Sequence, residues 1–127
     1  MTEKEKQQDF LNSCTRYSYK TLARNPDIYR GSAVKVAGEV VQVIENGNEI
    51  QMRVNITKDE YGFYEDTVYV YYTKTSSSRI LEDDIVAIYG TMLGTVTYTT
   101  VLGAEVTIPA IQAKKVEVIS DYRYSSI

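Results

Sequence analysis

The chain has no histidine, no tryptophan and a single cysteine, Cys14. Without an imidazole base, a Ser-His-Asp or Cys-His nucleophilic site is excluded. One cysteine cannot form an internal disulfide, and a zinc site needs several Cys or His ligands. Cys14 follows "FLNS" and reads as a small apolar packing residue, the alternative being an intermolecular or reactive thiol. No run approaches the ~20 apolar residues of a membrane span and no signal-peptide core follows Met1, so the chain itself is expected to make no membrane contact. A basic excess is also missing: the net charge is -3 and the pI ≈ 5.0. That argues mildly against a partner held by charge alone.

What is present is a chain of 127 residues, 43% hydrophobic and 24% charged, enough for one domain with a real core. Residues 1–16 open with "TEKEKQQ", which reads as a polar linker or leading helix, Phe10, Leu11 and Cys14 having helical spacing. In "SYKTLARNP", Ser18 is placed as an N-cap and Tyr19, Leu22 and Ala23 share a face, with Asn25 and Pro26 ending the helix. Ile28 and Tyr29 in the following turn are expected to pack.

From Val34 the period changes to two. "VKVAGEVVQVIE" is long for one strand, and Gly38 inside it suggests a bend that lets one strand serve two sheets. "ENGNE" is a hairpin turn. "EIQMRVNITK" turns Ile50, Met52, Val54 and Ile56 inward, and "TVYVYYTK" does the same with Val68, Val70 and Tyr72. "RILEDD" is expected to make one helical turn before "DIVAIYGTMLG", whose core phase runs through Ile85 or Val86. "TVTYTTVLGAEVTIP" reads as an added hairpin around Leu102 and Gly103, ended by Pro109. "AIQAKKVEVIS", with Val116 and Val118 inward, is the last strand, and residues 121–127 form a flexible tail.

These elements predict an all-β fold: a five-stranded, closed antiparallel OB-fold barrel over residues 17–120, with an N-terminal helical lead-in and an added hairpin between the fourth and fifth strands. An SH3-like barrel is the runner-up; its strands are usually shorter and its first one is not bent this way. The runs "YKTLARNPDIYRGSAVKVAGEVVQVIE", "RILEDDIVAIYGT" and "VTIPAIQAKKVEVI" together resemble the OB domains of Gram-positive membrane-anchored proteins related to TcdC, which is assigned as an anti-sigma factor and toxin-gene regulator. The resemblance covers roughly residues 17–119. It implies an OB-fold, single-stranded or quadruplex DNA as ligand, and a full-length protein anchored in the membrane by a segment outside this chain. It carries over no binding residues.

OB-folds commonly bind extended ligands across the second and third strands. Here that face would hold Gln51, Arg53, Asn55, Tyr69 and Tyr71, with Lys35, Lys58 and Lys74 following a phosphate backbone. The tyrosines read two ways, as a stacking platform or as ordinary sheet surface, since Tyr and Thr suit a pleated, half-buried sheet. Four cations each neutralising one phosphate would give a logarithmic salt slope of about -3. The acidic groups Asp59, Glu60, Glu65 and Asp66, and Glu82, Asp83 and Asp84, match no calcium-loop spacing and read as solvated loop charge. No cofactor, metal site or catalytic residue is expected, and the chain reads as a non-enzymatic binding module. The competing function is an extracytoplasmic domain, tethered to the membrane, that binds protein or glycan.

Overall fold

A computed structural model describes residues 1–120; the expected tail, residues 121–127, lies outside the described residues. Helix α1 (Glu3–Ser13) starts at Thr2, where the Thr2 side chain accepts from the Glu5 amide and the Glu5 side chain accepts from the Thr2 amide. This reciprocal cap satisfies two of the amides that every helix start leaves open. Helix α1 buries no residue fully. The two-residue strand β1 (Thr15–Arg16) then pairs in parallel with β2 (Ala33–Asn46), Arg16 lying beside Lys35. Two residues are too few to carry a period, so β1 leaves no mark in the sequence pattern.

Helix α2 (Tyr19–Arg24) is capped as its sequence predicts: Ser18 Oγ accepts from the Thr21 amide, and Asn25 closes the other end. Leu22 is the residue it buries, while Tyr17, Tyr19 and Tyr29 pack against the core from its flanks. Two expectations fail here. Ala23 faces solvent, because a six-residue helix offers little more than one inward position. Ile28 is 73% exposed, because the turn sends only Tyr29 inward, against Tyr17 at 4.7 Å between ring centroids.

Strand β2 is antiparallel to β5 (Ile85–Thr99) through residues 33–39 and to β3 (Glu49–Lys58) through residues 39–46. Glu39 belongs to both ladders, so the strand changes partner one residue after Gly38. A Cβ built on Gly38 would overlap the Asn55 carbonyl oxygen. Only a residue without a side chain allows β3 to approach that closely. Val41 is then the extra residue of a bulge between Val40 and Gln42.

Strand β3 pairs antiparallel with β4 (Tyr64–Thr73), and β4 pairs in parallel with β6 (Glu105–Ser120) over Tyr69–Tyr72 and Ala110–Ala113. The barrel is therefore mixed and not wholly antiparallel: the connection after β4 crosses its end, so β6 returns in the same direction as β4. Strands β5 and β6 are antiparallel, which closes a five-stranded barrel of β2, β3, β4, β6 and β5. This is an OB-fold.

The core contains Val36, Ile50, Met52, Val54, Val68, Val70, Val86 and Ile88, with Ile56, Tyr72 and Val116 packed at its margin. Val86 rather than Ile85 sets the inward phase of β5. Val118 is 44% exposed although it lies opposite buried Val86, because β6 has by then run past its pairing with β4. Glu82 and Asp83 form a turn in place of a helical turn, and Asp84, expected in solvent, is buried at 4% exposure. Its Oδ2 accepts from the Leu81 amide at 2.8 Å, while its backbone carbonyl accepts from Val40. The acid thus ties the crossing connection to the β2 bulge. The added hairpin exists, but as the outward continuation of β5 and β6, turning at 100–104. Pro109 does not end it. The proline lies inside β6 opposite Thr95, one residue before β4 pairing begins, where its missing N–H costs no bond to β4.

Candidate functional site: a groove beneath the β5–β6 hairpin

The outer face of β3 and β4 follows from register. Arg53 lies opposite Tyr69, Gln51 opposite Tyr71 and Asn55 opposite Thr67. Residues opposite one another in a ladder share a face, so the sequence-derived set assembles here in part. Tyr69 and Tyr71 tilt together with ring centroids 5.2 Å apart and planes at 48°. The Tyr69 hydroxyl donates to Gln51 Oε1 at 2.7 Å. Burial, followed by the neighbouring Tyr71, raises the Tyr69 phenol above the ordinary tyrosine value of 10.0. Tyr69 is therefore a neutral hydrogen-bonding ring at physiological pH.

Arg53 is fixed from two sides. Its Nε donates to Gln42 Oε1 on β2 at 2.7 Å, and one terminal nitrogen donates to the Tyr98 hydroxyl on β5 at 3.3 Å. The guanidinium carbon lies 5.3 Å from the Tyr98 ring centre. A guanidinium has five N–H donors, so most of its donors remain for a ligand. Among the described residues Arg53 forms no ion pair. The hairpin borders part of this face, where an open groove of ≈ 630 Å³ is lined by Gln42, Ile44, Arg53, Tyr69, Tyr98 and the turn from Thr99 to Leu102; Tyr71 adjoins it through Tyr69 and, like Gln51, lies outside the lining.

The other expected residues lie elsewhere. The Asn55 amide is engaged locally, accepting from Thr67 Oγ1 at 2.6 Å and donating to the Tyr64 carbonyl. Lys58 is at the far end of β3, over the Tyr64 ring, beside a second cavity of ≈ 330 Å³ lined partly by Tyr17 and Tyr19. Lys74 is 3.8 Å from Glu45, which also binds Arg79 at 2.7 Å. Lys35 points outward from the opposite wall, over Tyr89. Sequence reasoning misses Gln42, Tyr98, Val101 and Leu102; the signal for the last three is the length of the hairpin and its apolar tip.

No family model and no curated protein matches the chain. Among solved structures, it is similar to a protein assigned as an aspartyl-tRNA synthetase from Leishmania major Friedlin, with TM-score 0.59 and 14% identity over 86% of this chain. It is also similar to the aspartyl-tRNA synthetase of Entamoeba histolytica, with TM-score 0.57 and 16% identity over 94% of this chain. The chain spans 21% and 24% of the lengths of these two proteins. An OBody bound to hen egg-white lysozyme matches across 99% of its own length and 86% of this chain, with TM-score 0.52 and 19% identity. These likenesses concern the fold.

Proposed function

We propose that the chain is a non-enzymatic OB module that takes a short stretch of single-stranded nucleic acid in the groove beneath the β5–β6 hairpin. The observation that carries this reading is the joint placement of the Tyr69–Tyr71 pair and an immobilised, unpaired Arg53. Tilted tyrosines offer ring faces to bases, and a guanidinium with free donors meets a phosphate or a base edge. The two synthetase likenesses support the reading at the level of fold alone. A TcdC-like regulatory role, a Gram-positive membrane-anchored setting and a preference for quadruplex DNA rest on the sequence resemblance.

The site accounts for its own weakness as an electrostatic binder. With Lys35, Lys58 and Lys74 away from the groove, one cation remains at its centre. The salt slope then falls from about -3 to about -0.7, one phosphate in a single strand. Titration of a short oligonucleotide across a range of salt concentrations tests this directly. The expected result is binding with a shallow slope that Arg53→Ala flattens further. A slope near -3, or one that Arg53→Ala leaves unchanged, contradicts this placement of the ligand.

A second reading has its own observation. Val101 and Leu102 at the groove mouth are 103% and 96% exposed, and Ile44 below them is half exposed. Apolar tips of this kind suit a protein partner, as the lysozyme-bound OBody illustrates for that protein. The protein-binding or glycan-binding role, with an extracytoplasmic address, predicts that oligonucleotides fail to bind at any salt concentration.

A further inference from the structure

Strands β2 and β3 separate at Gly38. Their ladder ends with Glu39 opposite Asn55. A Cβ built on Gly38 would meet the Ile56 Cα at 2.9 Å, so the two backbones still touch there. Before that point β2 pairs with β5, and with β1 at Val34 and Lys35. Past Asn55, β3 keeps only β4, with Thr57 opposite Glu65 and Lys58 opposite Tyr64. A continued ladder would set Ala37 against Thr57 and Val36 against Lys58. These residues instead line the two sides of a split, and the segment from Arg16 to Tyr19 lines a third. The cavity so formed has a volume of ≈ 330 Å³.

Val36 and Ile56 give the split an apolar lining, and Tyr17 and Tyr19 add half-buried rings. Burial, followed by Asp66 and then Tyr98, raises the Tyr19 phenol above the ordinary 10.0, so it stays a neutral ring with a hydroxyl. Among the described residues no strand pairs with the β2-facing flank of β3 beyond Asn55, which leaves edge backbone donors and acceptors there. Arg16 and Lys58 are exposed on different sides of the split, and among the described residues neither forms an ion pair. The lysine lies 5.8 Å from the Tyr64 ring centre. The neighbouring acids are Glu65, the partner of Thr57, and Asp66. A smaller cavity of ≈ 270 Å³ between α1 and β6 differs in having its cations engaged: Lys6 by Glu3, Lys115 by Glu117, and Lys114 by the Phe10 ring.

Each feature narrows the ligand. A lone inorganic anion would leave the rings and the apolar lining bare, and an acyl chain would leave the β3 edge without partners. A flat base suits both, because it stacks on a tyrosine and meets a backbone edge with its own donors and acceptors. Two unpaired cations match a phosphate monoester, which carries about -1.5 to -2 at pH 7; a carboxylate would neutralise one. The volume stands at the low end of the ~300–1,000 Å³ usual for small-molecule sites, room for one nucleotide and not for a strand. We propose that the β2–β3 split binds a nucleoside monophosphate, its base against Tyr17 and Tyr19 and its phosphate drawn to Arg16 and Lys58. The site shares no lining residue with the groove around Arg53.

Titration with adenosine 5′-monophosphate at low salt, followed by NMR of the backbone amides, tests the proposal, with adenosine and inorganic phosphate as separate probes. The expected result is saturable shifts at residues 16–19 and 56–58, with adenosine and inorganic phosphate each binding at least about tenfold more weakly. Arg16→Gln and Lys58→Gln each lower the affinity for the nucleotide about tenfold or more, the loss of one hydrogen bond to a charged group. Both variants keep the parent melting temperature, because both side chains are exposed. No saturable shift with the nucleotide overturns the proposal, as does equal binding of adenosine or of inorganic phosphate. Parent-level affinity in both folded variants also overturns it. Shifts centred on Arg53 and Tyr69 place the nucleotide in the groove and overturn it as well. The groove is judged by the oligonucleotide titration of Arg53→Ala, so either site can fail alone.

Discussion

Arg53 owes its position to Gln42 and Tyr98, residues from two other strands. Removing either partner frees the guanidinium without touching the core. Tyr98→Phe is expected to keep the parent melting temperature while weakening ligand binding, because only a surface hydroxyl is lost; thermal melting paired with a binding titration checks both halves. Glu45 shows a charge effect in the opposite sense. The Arg79 hydrogen bond, ahead of the smaller Lys74 contribution, holds its carboxyl below the ordinary 4.5. Because the folded-state value is lowered, any stabilisation is present above the ordinary value and is lost as the pH falls through the folded one. Arg79→Ala is expected to bring the Glu45 titration, followed by NMR, back toward 4.5; an unmoved curve would assign the shift to another group. In the core, Val54→Asp buries an unpaired charge at a fully enclosed position. The cost of about 3–5 kcal/mol is a large part of a typical 5–15 kcal/mol stability, so the domain is expected to be largely unfolded by circular dichroism.

Among the elements, β2 was the most legible in the sequence and the two-residue β1 the least. Fourteen residues with a glycine inside admit few explanations other than a strand shared by two ladders, and the partner change at Glu39 agrees. Gly38→Val is expected to cost at least about 2 kcal/mol, by overpacking against the β3 backbone; a parent-like melting curve would remove that role. Strand phase also read well, because alternation in "EIQMRVNITK" leaves one choice of inward face. Tyr98 was not legible as a groove residue. Plain alternation along β5 gives it the same phase as buried Met92, and the bulge at Leu93, between Met92 and Gly94, reverses that phase and puts Tyr98 beside Arg53. Asp84 was misplaced for a related reason: a run of three acids looks solvated unless the crossing that buries one of them is known.

At the scale of the whole molecule, an acidic domain separates two surfaces of different character. One wall carries Lys35 and Lys115 about the Tyr89 ring, while the other carries tyrosines, amides and one fixed arginine beside an apolar hairpin tip. Binding in the groove is therefore expected to depend on ring faces more than on charge. The most direct measurement is a low-salt titration of a short single-stranded oligonucleotide against the parent and the Tyr69→Ala, Tyr71→Ala double variant, with melting recorded for each. Each lost stack is worth about 1–3 kcal/mol, so the account predicts at least a tenfold loss of affinity in a variant that still folds. Absence of binding by the parent at low salt, or equal binding by the folded double variant, would contradict it.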